Sequence, residues 1–265
     1  MTDRSLSDPD LHGTIRVVSS AVTHVGHVRA TNEDSLLDVP PIFLVADGMG
    51  GHAAGEVASK TAVQSLQDFI EMAQRDQYFT WPFGFDDRLT RRENLLHTAV
   101  MIANRRVCDI AQSNAECLGM GTTLAVLQLF PGEAVLAHVG DSRIYRMRDG
   151  VLKPLTRDHS WVNEQIQRNV LTEEEARTHR WRNVITRALG NRQDIEIDVV
   201  TLPTNPGDLF LICSDGLTSM LTDGEIAEQL AATGDLEAAT DALIDAANAA
   251  GGFDNISVIL ARVDG

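Results

Sequence analysis

The stretch of the chain that decides its fold lies at residues 42–52 and reads IFLVADGMGGH. Its first five residues, 42–46, have the length and composition of a strand that is buried on both faces. Asp47 and Gly48 end that strand, and residues 53–74 then place small and apolar side chains at helical spacing. We therefore predict a buried strand, a tight turn that carries an acidic side chain, and a long helix.

The segments on either side extend this pattern. A second long helix is predicted at residues 93–113, and a polar surface segment with helical stretches at about residues 158–187. Further helices are predicted at residues 223–230 and 236–250, and strands at residues 15–24, 122–129, 134–139, 143–148, 151–154, 195–202, 209–213 and 256–263. Successive strands are joined by short turns such as Asp149-Gly150, which favours antiparallel sheets over helical crossovers. The expected fold class is α+β, with helices packed outside the sheets.

The composition indicates a globular protein. The 265 residues suit one large domain or two small ones; we expect a single domain over residues 1–265, with a flexible polar N-terminus at residues 1–12. The chain has no apolar run long enough to span a membrane and no secretory signal at its start. Its three cysteines form no C-x-x-C pair, which favours a reducing, cytoplasmic location.

The formal net charge of -16 limits the possible partners. Nucleic acid and anionic lipid both require basic patches, so neither is expected to bind. The same charge repels phosphorylated ligands. A phosphate-handling protein with this composition needs local positive charge, which bound metal ions can supply.

Four aspartates share one local setting, because each lies at the end of an apolar strand beside a small or turn-forming residue. They are Asp47, Asp141, Asp215 and Asp254. If these strand ends converge at one rim, a divalent cation is needed to offset the repulsion of the carboxylates. Without His-rich or Cys-rich clusters, Mg²⁺ or Mn²⁺ is favoured over zinc or copper. Each aspartate taken alone is better explained as a turn residue or helix cap, and the matching settings of all four favour a shared site.

A second polar feature is the segment RATNED at residues 29–34. Arg29 close to Glu33 and Asp34 is consistent with an ordinary surface ion pair. It is equally consistent with a guanidinium group that binds a phosphate bidentately beside the acids that organise a metal.

Together these motifs resemble the type 2C family of metal-dependent Ser/Thr protein phosphatases, in its bacterial form. The matching stretches occur in the order of the family and are VRATNEDS (28–35), VADGMGGH (45–52), GTT (121–123), VGDSR (139–143), TRALG (186–190), SDGL (214–217) and DN (254–255). The resemblance implies a four-layer α-β-β-α sandwich, in which two antiparallel sheets are flanked by helix pairs. It also implies that residues 158–187 form a flap beside the active site.

The resemblance assigns roles to the acidic residues. It implies that Asp47 bridges two Mn²⁺ or Mg²⁺ ions, that the carbonyl group of Gly48 binds one of them, and that Asp215 and Asp254 bind the other. Asp141, together with Asp215, matches the position of a possible third ion.

The remaining polar residues of the site are assigned in the same way. The resemblance implies that Glu33 and Asp34 act through metal-bound waters and that Arg29 holds the substrate phosphate. Some members of the family have a histidine where this chain has Met49, and that histidine is proposed there as the proton donor. Here His52, His159 or a metal-bound water remains as the donor.

The expected activity is hydrolysis of phosphoserine and phosphothreonine in proteins by a metal-activated water. The expected substrates are phosphoproteins, the role is to oppose a Ser/Thr protein kinase, and the protein is expected to be a monomer. Two other functions are weighed: a nucleotide-binding domain, because residues 48–53 half-match a dinucleotide fingerprint, and a non-catalytic signalling module on the same fold. The aromatic segment at residues 78–85 is interpreted as packing for the two long helices or as a docking patch.

Overall fold

The computed structural model describes residues 15–50, 54–76 and 79–264. The strands are β1 (Val17–His24), β2 (Ser35–Val39), β3 (Ile42–Ala46), β4 (Gly48–Met49), β5 (Gly121–Thr122), β6 (Leu124–Phe130), β7 (Glu133–Val139), β8 (Arg143–Arg148), β9 (Val151–Pro154), β10 (Asp198–Pro203), β11 (Leu209–Cys213) and β12 (Ile256–Val263). The helices are α1 (Ala54–Arg75), α2 (Arg91–Ser113), α3 (Trp161–Gln167), α4 (Glu173–Thr178), α5 (Asp215–Thr218), α6 (Asp223–Ala232) and α7 (Leu236–Ala249), with a 3-10 turn at Ala115–Cys117.

The strands form two five-stranded sheets in which every neighbouring pair is antiparallel. One sheet has the order β1-β12-β11-β8-β9, and the other has the order β10-β7-β6-β3-β2. The short strands β4 and β5 pair separately at the rim. This topology lacks the alternating parallel strands of a dinucleotide-binding domain, so the half-matched fingerprint does not mark such a fold.

The two sheets stack face to face, and helices cover both outer faces. In β3, Phe43 and Val45 pack between the sheets, whereas Leu44 packs with α1 and α2. In β11, Phe210 packs between the sheets and Leu211 packs with α6 and α7. Since adjacent residues of a strand point to opposite faces, strands buried on both faces are apolar at most positions. The predicted α-β-β-α sandwich is confirmed.

The two long helices lie side by side on the outer face of the second sheet. A capping box starts α2: Thr90 Oγ1 accepts the backbone N–H of Glu93 at 3.2 Å, and the Glu93 carboxylate accepts the N–H of Thr90 at 2.8 Å. Phe79 and Trp81, with ring centroids 4.7 Å apart, pack against the core cluster to which both helices contribute. This contact favours the packing interpretation of the aromatic segment.

The elements β2, α5 and β10 differ from the sequence-based prediction for identifiable reasons. The edge strand β2 is missed because it buries only Leu37 and has no apolar run. The four-residue helix α5 is too short to leave a periodic pattern. Strand β10 begins at Asp198, not at residue 195, because its partner β7 ends at Val139 and the chain turns at Gly140, where φ is 111°.

The other expectations about chain segments have mixed outcomes. The segment 158–187 leaves the sheets as predicted and contains α3 and α4. All three cysteines are buried and free. The N-terminal residues 1–12 lie outside the described residues. Within the described part of the chain, no helix combines the length and the apolar character needed to cross a membrane.

The sheet stack explains why the acidic residues meet. Strands β11 and β12 are antiparallel, so the end of β11 lies beside the start of β12, with Cys213 paired to Val258. Asp215 and Asp254 therefore lie at the same rim. The ends of β3 and β7, which lead to Asp47 and Asp141, belong to the facing sheet.

The inter-sheet core provides a stability test. Phe210 is fully buried between the sheets, so Phe210→Ala is expected to lower the free energy of unfolding by about 3–5 kcal/mol through lost burial and a residual cavity. Val200, on the edge strand β10, is 45% exposed, and Val200→Ala should change it by less than about 0.5 kcal/mol. Urea denaturation of both variants measures the difference; equal effects would contradict the layered packing.

Candidate metal centre

Five aspartates meet at the rim where the two sheets end. Burial raises the pKa of Asp47 well above its usual range, and the neighbouring carboxylates raise it further. These neighbours are Asp34, Asp141, Asp215 and Asp254. Burial likewise raises the pKa of Asp34, to about 7, and that of Asp141 and Asp215. The rim therefore brings together like charges at a cost that a bound cation can offset.

The backbone of Asp47 is fixed by two threonines. Its N–H donates to Thr123 Oγ1 at 3.0 Å, and its carbonyl oxygen accepts the Thr123 N–H and the Thr122 hydroxyl, both at 2.9 Å. Thr123 Oγ1 also lies 2.6 Å from Ser142 Oγ, beside Asp141. The turn after β3 is thus linked to the turn after β7, and Asp47 holds its place against the repulsion of its neighbours.

Asp34 is held by two hydroxyl groups from the opposite sheet. Ser214 Oγ donates to Asp34 Oδ2 at 2.8 Å, and Ser257 Oγ donates to the same oxygen at 2.7 Å. The other oxygen, Asp34 Oδ1, is buried and has no hydrogen-bond partner within the described residues, and the same is true of Asp141 Oδ1. Buried carboxylate oxygens without partners are rare unless an ion or water contacts them. Such oxygens suit a hard divalent cation.

Arg29 lies at the same rim, and one asparagine shapes the loop that carries it. Arg29 Nη2 donates to Asp254 Oδ2 at 2.7 Å, and this hydrogen bond is the main cause that raises the pKa of Arg29. Asn255 binds the loop at three points: Oδ1 accepts the N–H of Glu33, and Nδ2 donates to the carbonyl oxygens of Val25 and Thr31. The role of Arg29 in holding the substrate phosphate stays a prediction.

Gly48 lies where three segments approach closely. A Cβ at this position would overlap the backbone oxygens of Glu33 and Gly55, so no other residue fits there without movement. A Cβ at Gly55 would in turn meet the Glu33 carboxylate at 2.8 Å. Burial raises the pKa of Glu33, and the charge of Arg29 opposes that rise. The role of the Gly48 carbonyl as a metal ligand stays a prediction.

The candidate proton donors have different outcomes. His52 lies outside the described residues. His159 is buried, its Nδ1 accepts the N–H of Gly140 at 3.1 Å, and its Nε2 lies 3.3 Å from Asp198 Oδ2. Burial, followed by the charge of Arg187, lowers the pKa of His159. The ring is therefore neutral at neutral pH, and its role as a donor stays a prediction.

Several residues that build the site were not predicted from the sequence to be functional. Thr123, Ser214, Asn255 and Ser257 bind the aspartates or their loops through the hydrogen bonds described above. The first three lie inside the quoted motifs, and Ser257 is a buried polar residue within the largely apolar β12. A polar residue in a strand that is buried on both faces needs a hydrogen-bond partner. The presence of Ser257 in such a strand could therefore have indicated a role in the site.

The raised pKa of Asp34 predicts how stability varies with pH. In chelator, the folded protein binds more protons than the unfolded chain between the ordinary pKa of 3.8 and the folded pKa of about 7. The free energy of unfolding should therefore fall as pH rises through this range. Asp34→Asn should remove that contribution, so the variant gains stability relative to the original protein between about pH 4 and about pH 7.

Urea denaturation in chelator at about pH 4 and about pH 7 measures the free energy of unfolding of both proteins. Any effect of the amide side chain that does not depend on pH cancels when the two pH values are compared. Asp245→Asn, at an exposed position of α7, is the control and should leave the pH dependence unaltered. A stability difference between Asp34→Asn and the original protein that does not vary with pH would contradict the raised pKa.

Known proteins share both the sequence and the structure. A family model, protein phosphatase 2C, matches residues 27–253. The serine/threonine phosphatase stp of Listeria monocytogenes is 36% identical over 251 residues, which cover 91% of this chain and 94% of that protein. Protein phosphatase PhpP of Streptococcus pneumoniae is 36% identical over 250 residues, which cover 92% and 97%.

Solved structures agree with these matches. The crystal structure of the Mycobacterium tuberculosis serine/threonine phosphatase PstP/Ppp is similar with a TM-score of 0.84 and 32% identity, covering 94% of this chain and 99% of that one. The catalytic domain of PstP in complex with two manganese ions has a TM-score of 0.82 and 32% identity, covering 95% and 100%. With its sandwich fold, acidic rim and nearly full-length matches, the chain belongs to the protein phosphatase 2C family.

Proposed function

We propose that this chain removes phosphate from phosphoserine and phosphothreonine in other proteins and that it does so at the acidic rim. The observation that carries the proposal is the meeting of five aspartates, two with unpartnered buried oxygens, beside Arg29. The relatives stp and PhpP are phosphatases by name. Metal-dependent protein phosphatase activity is the function that agrees with both.

The residues of the rim divide into ligands and supports. Asp47, Gly48, Asp215 and Asp254 would hold two divalent cations, and Asp141 with Asp215 would hold a third. The cations supply Lewis-acid activation of a water and neutralise the charge on the phosphate oxygens. PstP was crystallised with two manganese ions, which supports Mn²⁺ here, with Mg²⁺ as the alternative.

The other side chains act around the phosphate. Arg29 would bind the phosphate oxygens through N–H groups not used by Asp254, and would stabilise the negative charge that develops on them. Glu33 and Asp34 would orient waters at the rim, and the hydroxyl groups of Ser214 and Ser257 would fix Asp34 for that task. His52, His159 and a water remain the candidates for protonating the leaving oxygen.

We propose further that the phosphatase is a cytoplasmic monomer that opposes a Ser/Thr protein kinase. Phosphoprotein substrates follow from the activity. Three buried, free cysteines agree with a reducing compartment.

Replacement of Asp47 tests the metal centre. Asp47→Asn should lower the Mn²⁺-dependent kcat on a phosphothreonine peptide by about 10³-fold or more, because a charged ligand at the centre of the site is lost. Calorimetry should show weaker Mn²⁺ binding, whereas Asp245→Asn should retain both properties. Full activity of the original protein in excess chelator would contradict the proposal. Weak Mn²⁺ binding and no turnover by the original protein would indicate a non-catalytic signalling module.

Replacement of Arg29 tests the phosphate contact. Arg29→Ala should lower kcat/KM by about 10- to 100-fold, the equivalent of one charge-assisted hydrogen bond. Arg29→Lys should recover only part of this loss, because an ammonium group cannot bind bidentately. Steady-state kinetics measures both variants. Arg75, an exposed arginine at the end of α1, provides the control Arg75→Ala, and an Arg29→Ala enzyme no worse than this control would contradict the assignment.

A further inference from the structure

Two residues at the start of the flap segment bind both sides of the turn that carries Asp141. The backbone N–H of His159 donates to the Gly140 carbonyl at 2.7 Å, and the Gly140 N–H donates to His159 Nδ1 at 3.1 Å. On the other side, Arg143 Nε and Nη2 donate to the two carboxylate oxygens of Asp158, both at 2.7 Å. We call these four hydrogen bonds the Asp158–His159 clamp.

The clamp matters because the conformation of this turn helps to position the Asp141 carboxylate. Asp141 Oδ1 is buried without a hydrogen-bond partner among the described residues, so the direction of the side chain follows from the backbone. The preceding Gly140 has φ at 111°, and a Cβ there would meet Thr123 at 2.6 Å. A glycine in this region is conformationally free, so the hydrogen bonds from His159 restrict it.

The hydrogen bonds also fix the tautomer of His159. Nδ1 accepts the Gly140 N–H and therefore carries the lone pair, so the proton is on Nε2, which faces Asp198 Oδ2 at 3.3 Å. Asp198 is paired in turn with Arg187 at 3.1 Å. Nε2–H therefore donates towards Asp198, and its 3.2 Å contact with Arg187 Nη1 joins two donors and is not a hydrogen bond.

The same tautomer argues against His159 as the ligand of a second metal ion. Donor atoms of His138, His159 and Asp198 lie within 4.8 Å of one another, which resembles a ligand set for a transition metal. A protonated Nε2 cannot bind a metal, and Nδ1 is occupied by Gly140. His138 Nε2 lies 2.8 Å from the Ser142 carbonyl oxygen and must donate to it, so the lone pair of His138 is on Nδ1, which is buried without a partner among the described residues.

We propose that His159 is a positioning residue, which fixes Asp141 by accepting the Gly140 N–H, and that it is not the proton donor of the reaction. This inference depends on the proposed phosphatase activity. The carbonyl oxygen of His159 also accepts the Thr186 N–H at 2.8 Å. The clamp therefore joins the two ends of the flap segment to the turn that carries a metal ligand.

Two substitutions separate positioning from proton donation. Asn places its Oδ1 close to where His has Nδ1, so His159→Asn keeps an acceptor for Gly140 but cannot transfer a proton. His159→Ala removes the acceptor. The substrates are a phosphothreonine peptide, whose alkoxide must be protonated on leaving, and p-nitrophenyl phosphate, whose leaving group needs no proton.

If His159 positions Asp141, His159→Ala lowers kcat by the same factor, about tenfold or more, on both substrates, and His159→Asn stays within about threefold of the original enzyme. His179→Ala is the control, since His179 belongs to the flap but stacks on Trp161. A loss confined to the phosphopeptide, an Asn variant as impaired as the Ala variant, or an Ala variant with full activity would each overturn the proposal.

Hydrogen exchange tests the clamp without catalysis. In chelator, the amide of Gly140 should exchange about tenfold faster in His159→Ala and at the original rate in His159→Asn. If the original protein has no phosphatase activity, the proposed function fails, and this measurement still decides the clamp. An unchanged exchange rate of the Gly140 amide in a folded His159→Ala protein would overturn the proposed clamp. Thermal unfolding of each variant verifies that it is folded.

Discussion

Repulsion between carboxylates is the constraint on which the rest of this structure depends. Burial and mutual charge raise the pKa values of Asp47, Asp141 and Asp215, so the apo site opposes folding. Hydrogen bonds from surrounding residues hold the aspartates in place against this repulsion. Thr123 fixes the backbone of Asp47, Ser214 and Ser257 bind Asp34, and Asn255 holds the loop of Arg29. These contacts join both sheets, so the sandwich as a whole keeps the acids close together.

The overall charge of the chain gives this arrangement a second effect. A protein with a net charge of -16 repels phosphate at long range. Arg29 contributes one positive charge at the rim, and Asp254 already pairs with it. Bound cations must therefore supply most of the attraction for a phosphorylated ligand. Occupancy of the metal centre and affinity for substrate are coupled for this reason.

Much of the fold and the acidic part of the site could be predicted because both leave local signals. The apolar run of β3 has to be a strand buried on both faces, and Asp47 has to lie at its end. The edge strand β2 and the helix α5 leave no such signal. Assignment of the metal roles required the resemblance, since a single aspartate after a strand is also an ordinary turn residue.

The supports of the site could not be predicted for a different reason. Asn255 binds the N–H of Glu33 from 222 positions away, and Arg187 and Asp198 meet His159 only after the flap segment has returned to the sheet. Such pairs depend on the three-dimensional path of the chain and have no fixed spacing. Ser257 was the exception that could have been found, because a hydroxyl group in a buried strand requires a partner.

The position of β12 has a consequence for how the protein is made. This strand lies between β1 and β11 in its sheet, and Asp254 precedes it directly. A ribosome that has not yet translated residues 254–263 has produced a chain in which β1 and β11 lack their shared partner and the rim lacks one of its acids. Truncated products consequently have neither a complete sheet nor a complete metal centre. Both the sheet and the rim therefore depend on residues 254–263.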